Sequence, residues 1–382
     1  MTITRKIILG ISFITLVFTL SACSFNSAKI SSNEPIKIGY IGALTGKSAY
    51  IGIYIKNGLD LAVEEINQEG INGRKIKIIY EDSKSETNEA VKAVNKLIEI
   101  DQVPVIIGFD SSSSVLAAAP IVEQQKVILF APIASAVEIT KSGDYVFRNR
   151  ESSFLHGEKM AELAFNKLNY KSVAILAVNS ENGLGYQAGF VKKFEELGGT
   201  ISKIDNYVKG EKDFRTSLTK INGTNPQAIY LAGYAAEMAE IIKQAKELDI
   251  NAQLLASAGI ETKDLFTIIK PPLGNGLIYS YPAFNPNDSA IADYQKKFEA
   301  KYGFKSEAFA ANSYDAMQII AQALKICGTK TSCIKDEIYK IKDYPGVGGL
   351  TTFDENGDVI KPIIFKTIKN GEFLPYENKL NN

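Results

Sequence analysis

The sequence predicts an α/β protein made of two doubly wound parallel-sheet domains, and three observations carry that expectation. From Pro35 onward the hydrophobic period switches repeatedly between strand-like and helix-like, with Gly or Pro at the joints. Such strict alternation calls for right-handed crossovers that lay helices over the faces of a parallel sheet. There are nine strand-like runs, which suit two sheets better than one. Two breaks divide them: a polar NRESS after Tyr145-Val146-Phe147, near Arg148 to Ser153, and a YPAFNPND stretch with two prolines, near Ser280 to Asp288.

The chain opens with Arg5-Lys6 and an apolar run from Ile7 to Leu20, followed by Leu20-Ser21-Ala22-Cys23. Fourteen apolar residues are too few to span a bilayer, and small residues before a cut site mark a secretory signal over 1–22. Leu-Ser-Ala-Cys resembles the bacterial lipobox, which implies that Cys23 is the lipid-modified first residue of the mature protein. Residues 23–34 then form a lipidated Cys and a Ser/Asn-rich tether, so the folded part begins near Pro35, outside the cytoplasmic membrane.

Strands are expected at Ile36 to Gly42, Lys75 to Tyr80, Val103 to Ile107, Val127 to Phe130, Ser172 to Val178, Thr200 to Ile204, Ala228 to Ala232, Gln253 to Ala256 and Leu277 to Tyr279. Amphipathic helices are expected at Gly52 to Gln68, Asn88 to Glu99, Phe154 to Leu168, Gly185 to Leu197, Phe214 to Ile221 and Glu237 to Leu248. After the second break come helices at Ser289 to Tyr302 and Glu307 to Ile326, then a hairpin-like GLTTFDENGDVIKPIIFKTIKNGEF. No fixed-period repeat is present.

The stretch Pro104 to Ser114, PVIIGFDSSSS, is a buried-strand pattern running into serines that open an Ala-rich helix. Hydroxyls and unpaired amides at the positive end of a helix form a seat for a carboxylate or phosphate; the alternative is an ordinary helix cap. Ile128-Leu129-Phe130 followed by APIASA repeats the design, with Ser135 as its hydroxyl.

Composition excludes several classes of function. With 45% hydrophobic residues and roughly 350 residues beyond the tether, the chain can fill two cores. Without Arg5 and Lys6, 41 basic residues face 43 acidic ones, and no basic stripe or RNA-binding aromatic motif is present, so no nucleic-acid partner is expected. Cys327 and Cys333 close a short CGTKTSC loop in an oxidising compartment, which favours a disulfide over two free thiols. Two cysteines and a single histidine, His156, cannot build a common zinc site.

Several segments in order and spacing carry a resemblance. They are IKIGYIGALTG, GLDLAVEEINQEGINGRKIKIIYED, GFDSSSS, APIASAVEIT, the GEKDF at Gly210 to Phe214, IYLAGYAAEMAEIIKQAKELDI and FDENGD. From about Ile36 to Phe373 the chain resembles periplasmic substrate-binding proteins of the leucine/isoleucine/valine-binding family. The resemblance implies a Venus-flytrap fold with three crossovers, an N-terminal lobe of 35–150 plus 285–350, and a C-terminal lobe of 151–284 plus 351–375. It also implies a monomer without cofactor or metal, held at the membrane by its lipid, that binds a small molecule. Carried over residue by residue, the ligand's carboxylate is held by Ser112, the backbone of Ile133 and Ser135, with Tyr234 reaching in from the other lobe. The family's first-loop aromatic aligns with Ile51, flanked by Tyr50 and Tyr54, and a second cleft tyrosine aligns with Asn182. Phe109, Tyr50 or Tyr54, and Tyr234 are expected along an apolar tail. The acid that neutralises an α-ammonium aligns with Ala258, and the nearest carboxylate, Glu261, stands three residues later. The expected ligand is therefore a small carboxylate or a neutral polar solute, with a branched-chain amino acid restored if Glu261 takes over the missing role.

Enzyme readings fare worse. Gly183-Leu-Gly185 with Gly189 and Asp205 mimics a dinucleotide fingerprint, but the spacing is G-x-G-x-x-x-G and Glu181 crowds the phosphate position, so these glycines are read as turn and helix-packing residues. No G-x-S-x-G elbow occurs, His156 is expected at the surface or cleft rim, and Asp315 is expected to face a loop from its helix. Delivery of a solute to an ABC permease and reporting of it to a membrane sensor both remain open. The first is favoured because the chain carries no added signalling domain.

Overall fold

The computed structural model describes residues 34–46, 49–262, 265–359 and 361–377. The signal, the lipobox Cys23 and most of the tether lie outside the described residues.

Five parallel strands form the first sheet: β1 (Ile36–Gly42), β2 (Ile76–Asp82), β3 (Val105–Gly108), β4 (Ile128–Ala131) and β5 (Val146–Arg148), in the order β2-β1-β3-β4-β5. They alternate with α1 (Ala49–Glu69), α2 (Thr87–Glu99) and α3 (Ser112–Gln125). β1, β3 and β4 are almost wholly buried, as continuous apolar runs covered on both faces must be. The second sheet adds β6 (Ser172–Val178), β7 (Thr200–Tyr207), β8 (Ala228–Ala232), β9 (Gln253–Ala256) and β10 (Ile278–Pro282). Its first helices are α4 (Ser153–Glu162), continued by a π-helical turn over Leu163–Lys167, α5 (Glu181–Glu196), α6 (Arg215–Asn222) and α7 (Ala235–Glu247). A short α8 (Leu265–Ile268) precedes β10, and α9 (Ala292–Tyr302), α10 (Ala308–Cys327) and α11 (Thr331–Tyr339) follow it. A small hairpin, β11 (Tyr344–Gly346) with β12 (Gly349–Thr351), comes next. Finally β13 (Ile363–Lys369) and β14 (Glu372–Pro375) add antiparallel to β10, giving the order β14-β13-β10-β9-β8-β6-β7.

The fold is α/β with parallel sheets in two domains. Each sheet carries an apolar cluster on both faces, Ile38 with Phe130 and Ile106 with Phe109 in the first, Ile229 with Leu231 and Ile175 with Tyr230 in the second. The chain passes from the first sheet to the second between β5 and β6. It lays α10 on α1 and returns to the second sheet with β13. Cys327 and Cys333 are joined by a disulfide that ties the end of α10 to α11. The loop is short, so its entropic contribution is about 2 kcal/mol. Among the described residues no helix is long and apolar enough to cross a membrane.

One strand of the first sheet lies outside the expected nine, and one reading needs correction. The nine expected strands left out Val146–Arg148, which is β5, paired in parallel with β4, just before the break expected near Arg148 to Ser153. Arg148 and, in the polar NRESS that follows, Asn149, Arg150, Glu151 and Ser153 lie inside, because the crossing runs between packed elements rather than over the surface. His156 is fully buried too, with Nδ1 3.0 Å from Ser280 Oγ and its ring edge-on to Tyr186. Gly185 and Gly189 explain that burial. A Cβ on either would fall about 2 Å from Ser153 Oγ or Phe154 O, so α4 and α5 are in backbone contact and the His156 face of α4 is closed off. Asp315 accepts the amides of Val347 and Gly348 at 2.8 and 2.7 Å.

Candidate functional site

Loops at the carboxyl ends of both sheets converge on one cavity, where ligands settle in open α/β sheets. From the first domain come Tyr50 and Ile51 on α1, Asp110 to Ser112 after β3, and Ile133 to Ser135 after β4. The second domain supplies Asn182 and Tyr186 on α5, Gly233 and Tyr234 after β8, and Gly259 and Thr262 after β9. Arg150, from the first crossing, and Phe309, from α10, complete the lining. The cavity measures about 50 Å³, a space for a small molecule and nothing polymeric. A larger opening of about 870 Å³ shares Tyr50 and Tyr234 with it, so these two tyrosines stand between the inner cavity and the outer cleft.

The serines divide the work among themselves. Ser111 caps α3, accepting the Ser114 amide at 3.3 Å. Ser112, in the first turn, points its Oγ back at the neighbouring loop and accepts the amides of Ser135 and Ala136 at 3.2 and 3.1 Å. Two contacts join the domains here: Asn182 Nδ2 donates to Ser135 Oγ and Ser113 Oγ donates to Glu181 Oε2, both at 2.5 Å. The Ser153 amide also donates to the Ser135 carbonyl at 2.6 Å. The two sides of the cavity are thus latched across Ser113 and Ser135.

The electrostatics are set by two charged groups. Asp110 accepts a hydrogen bond from Ser83 Oγ at 2.7 Å, and burial pushes its carboxyl above the usual range. Arg150 is 5% exposed, donates from Nη1 to the Ile133 carbonyl at 3.0 Å and lies 5.0 Å over the Phe309 ring. Burial pushes the Tyr234 phenol up to about 12, so it is a neutral donor at any physiological pH. Lys209 sits 5.2 Å over its ring.

With this geometry in place, known proteins can be compared. The profile of the periplasmic binding protein family matches residues 35–372. The chain belongs to that family. It is 28% identical to a leucine-, isoleucine-, valine-, threonine- and alanine-binding protein of Pseudomonas aeruginosa over 349 residues, 90% of each chain. Among solved structures, a leucine-binding protein of Thermotoga maritima superposes with a TM-score of 0.83 at 29% identity, covering 90% of this chain and 98% of that one. A branched-chain amino acid transporter substrate-binding protein of Streptococcus pneumoniae, solved with isoleucine, gives 0.81 at 29% identity, covering 89% and 97%. These relatives are substrate-binding proteins, not enzymes.

In this periplasmic binding protein the structure brings together Ser112, Ile133, Ser135, Asn182, Tyr234 and Tyr50 around the cavity. It leaves out two residues named from the sequence. Phe109 is fully buried in the core under α3, packed with Ile41 and Val115, because the residue after β3 turns toward the helix layer and not into the cleft. Ala258 is buried in the second domain's core, and Gly259 takes its place on the lining. Glu261 is committed elsewhere: it accepts Lys366 Nζ at 2.6 Å and Tyr279 Oη at 2.5 Å. Sequence reasoning missed Asp110, Tyr186, Thr262, Phe309 and Arg150. Asp110 stood inside the serine motif, and Arg150 stood in the polar crossing, where the sequence carries no sign of burial.

Proposed function

We propose that this protein captures a small carboxylate-bearing solute, of branched-chain amino acid size or smaller, between its two domains and delivers it to an ABC permease as a lipid-anchored extracytoplasmic binding protein. The observation that carries the reading is the cavity itself, built from loops of both domains and latched across them by Asn182–Ser135 and Glu181–Ser113. A solute held by both sides binds the closed arrangement better than the open one and shifts the population toward it. In this reading the lobes are 35–150 plus 285–350 and 151–284 plus 351–375, and Ser112, Ile133, Ser135, Asn182, Tyr234 and Tyr50 contact the solute. The branched-chain binding of the Pseudomonas aeruginosa relative and the isoleucine of the Streptococcus pneumoniae structure support the solute's size.

Mass spectrometry of small molecules released from the purified protein tests the capture. A small carboxylate in stoichiometric amount is expected. A protein that carries none, and whose melting temperature no amino acid or organic acid raises at millimolar concentration, overturns the reading.

Anchoring rests on Leu20-Ser21-Ala22-Cys23 and the polar tether. Cys23→Ser should leave the protein soluble or as the uncleaved precursor, since stable attachment takes more than one acyl chain. Wild-type protein that partitions into the aqueous phase of a detergent extraction would show that Cys23 is not lipidated.

A further inference from the structure

We infer that Arg150 binds the solute's carboxylate as its counter-charge and so determines specificity, the hydroxyls and first-turn amides around Ser112 serving as neutral donors beside it. This deepens the proposed function and rests on it.

The loop offers an anion neutral donors only. The amides of Ser135 and Ala136 are both used by Ser112 Oγ, and the Ser114 amide is used by the cap Ser111. What remains there are the hydroxyl protons of Ser112 and Ser135 and the first-turn amides of Ser112 and Ser113, all of them neutral donors. Arg150 is in the opposite condition. Its guanidinium is 5% exposed and lines the cavity, and among the described residues no carboxylate approaches it within 4.0 Å. Nη1 is spent on the Ile133 carbonyl, while Nε is buried with no acceptor.

A guanidinium stays charged at any accessible pH, and a buried charge without its counter-charge is strongly unfavourable. An anionic ligand in the cavity supplies a counter-ion in contact with the guanidinium. The planar fork of a guanidinium also matches a carboxylate better than a pair of hydroxyls does. Arg150 is held in place for this by the Ile133 carbonyl and by the Phe309 ring 5.0 Å beneath it. The same contact brings the guanidinium's positive charge to the Ile133 carbonyl, which makes the loop a poor seat for an ammonium. Asp110 is the acid on the lining that an amino group would find.

The test is calorimetric titration of wild type, Arg150→Met and Arg150→Lys with leucine, its 2-oxo analogue 4-methyl-2-oxopentanoate, and leucinamide, alongside melting curves without ligand. At least one of the two carboxylates should bind wild type, and leucinamide should bind far more weakly. Arg150→Met should lose affinity about 10- to 100-fold, the effect of one charge-assisted pair, and Arg150→Lys should recover part of it. Without ligand, Arg150→Met should melt no lower than wild type, because an unpaired buried charge has been removed. Unchanged carboxylate affinity in Arg150→Met overturns the inference while leaving solute capture intact. So does lost affinity in a variant that melts lower and is not rescued by Lys, since the arginine is then structural. Wild type that binds neither carboxylate overturns the inference and the proposed function together.

Discussion

Asp358→Ala should destabilise the protein by about 4 kcal/mol, the range found when one partner of a buried ion pair is removed. Arg148, at the end of β5, is 2% exposed and meets Asp358 through two parallel bonds, Nε to Oδ1 at 2.5 Å and Nη2 to Oδ2 at 2.6 Å. The guanidinium is also tied to the Ala136 carbonyl at 2.6 Å and to Thr140 Oγ1 at 2.8 Å, and Thr140 in turn donates to Asp358. Removing the carboxylate therefore leaves a positive charge that cannot move to water without unpicking the loop after β4. That loop carries Ile133 to Ser135. Asp358 belongs to the FDENGD segment, where the chain returns toward the second sheet, so the pair fastens the last crossing to the first domain two residues from Arg150. Urea unfolding of wild type and variant gives the difference directly, provided the slope is unchanged. A loss under 1 kcal/mol would mean that the pair is solvated and the crossing is held by other contacts. Asp358→Asn should fall between the two, since it keeps one acceptor and loses the charge.

How far the sequence could be read depended on whether a segment's surroundings matched its own chemistry. β1, β3, β4, β6 and β8 lie at their predicted places to within two residues because an apolar run bounded by Gly, Pro or a polar turn has one good use, a strand covered on both faces. β7 runs on to Tyr207, three residues past Ile204; Asp205 and Asn206 are polar because β7 is the edge of its sheet, while Tyr207 turns into the core. The serine motif was found because its hydroxyls are diagnostic of a helix start. Its role was harder to see, since only coordinates show Ser112 Oγ satisfying the amides of the next loop. The burial of the crossing NRESS was not legible for a more general reason. A polar run is exposed by default, and burial of Arg148, Arg150 and Glu151 depends on partners more than a hundred residues away, Asp358 and Phe309 among them, or on a ligand. Phe109 and Ala258 failed on direction: alignment fixes where a residue stands in the chain and leaves open which side of the loop its Cβ takes.

The second large effect concerns pH. Asp315 on α10 is fully buried and accepts the amides of Val347 and Gly348, with the buried Lys361 nearby, itself bonded to Asn312 Oδ1 and the Gly348 carbonyl at 3.3 Å. Burial outweighs these partners and pushes the carboxyl from 3.8 up to about 6. Because the folded value lies above the unfolded one, the folded state holds this proton more tightly. The stabilisation is complete below pH 4 and is lost as pH rises through about 6, a change of about 3 kcal/mol for a shift of roughly two units. Groups around it act on the same window with their own signs. Lys361 is pushed down by burial, and His156, also pushed down by burial, is protonated more readily in the unfolded chain, so its contribution falls as pH drops through 6.5. The raw stability curve is the sum of these, and the informative quantity is the difference between wild type and Asp315→Asn. That variant keeps an acceptor for one of the two amides and cannot titrate. The stability of wild type minus that of Asp315→Asn should fall by about 3 kcal/mol between pH 4 and pH 7, read from urea midpoints at each pH. A difference that stays level over that interval would mean that Asp315 is ionised in the folded protein throughout, with Lys361 as a true counter-ion, and the third crossing would then be held by charge where the structure shows amide hydrogen bonds.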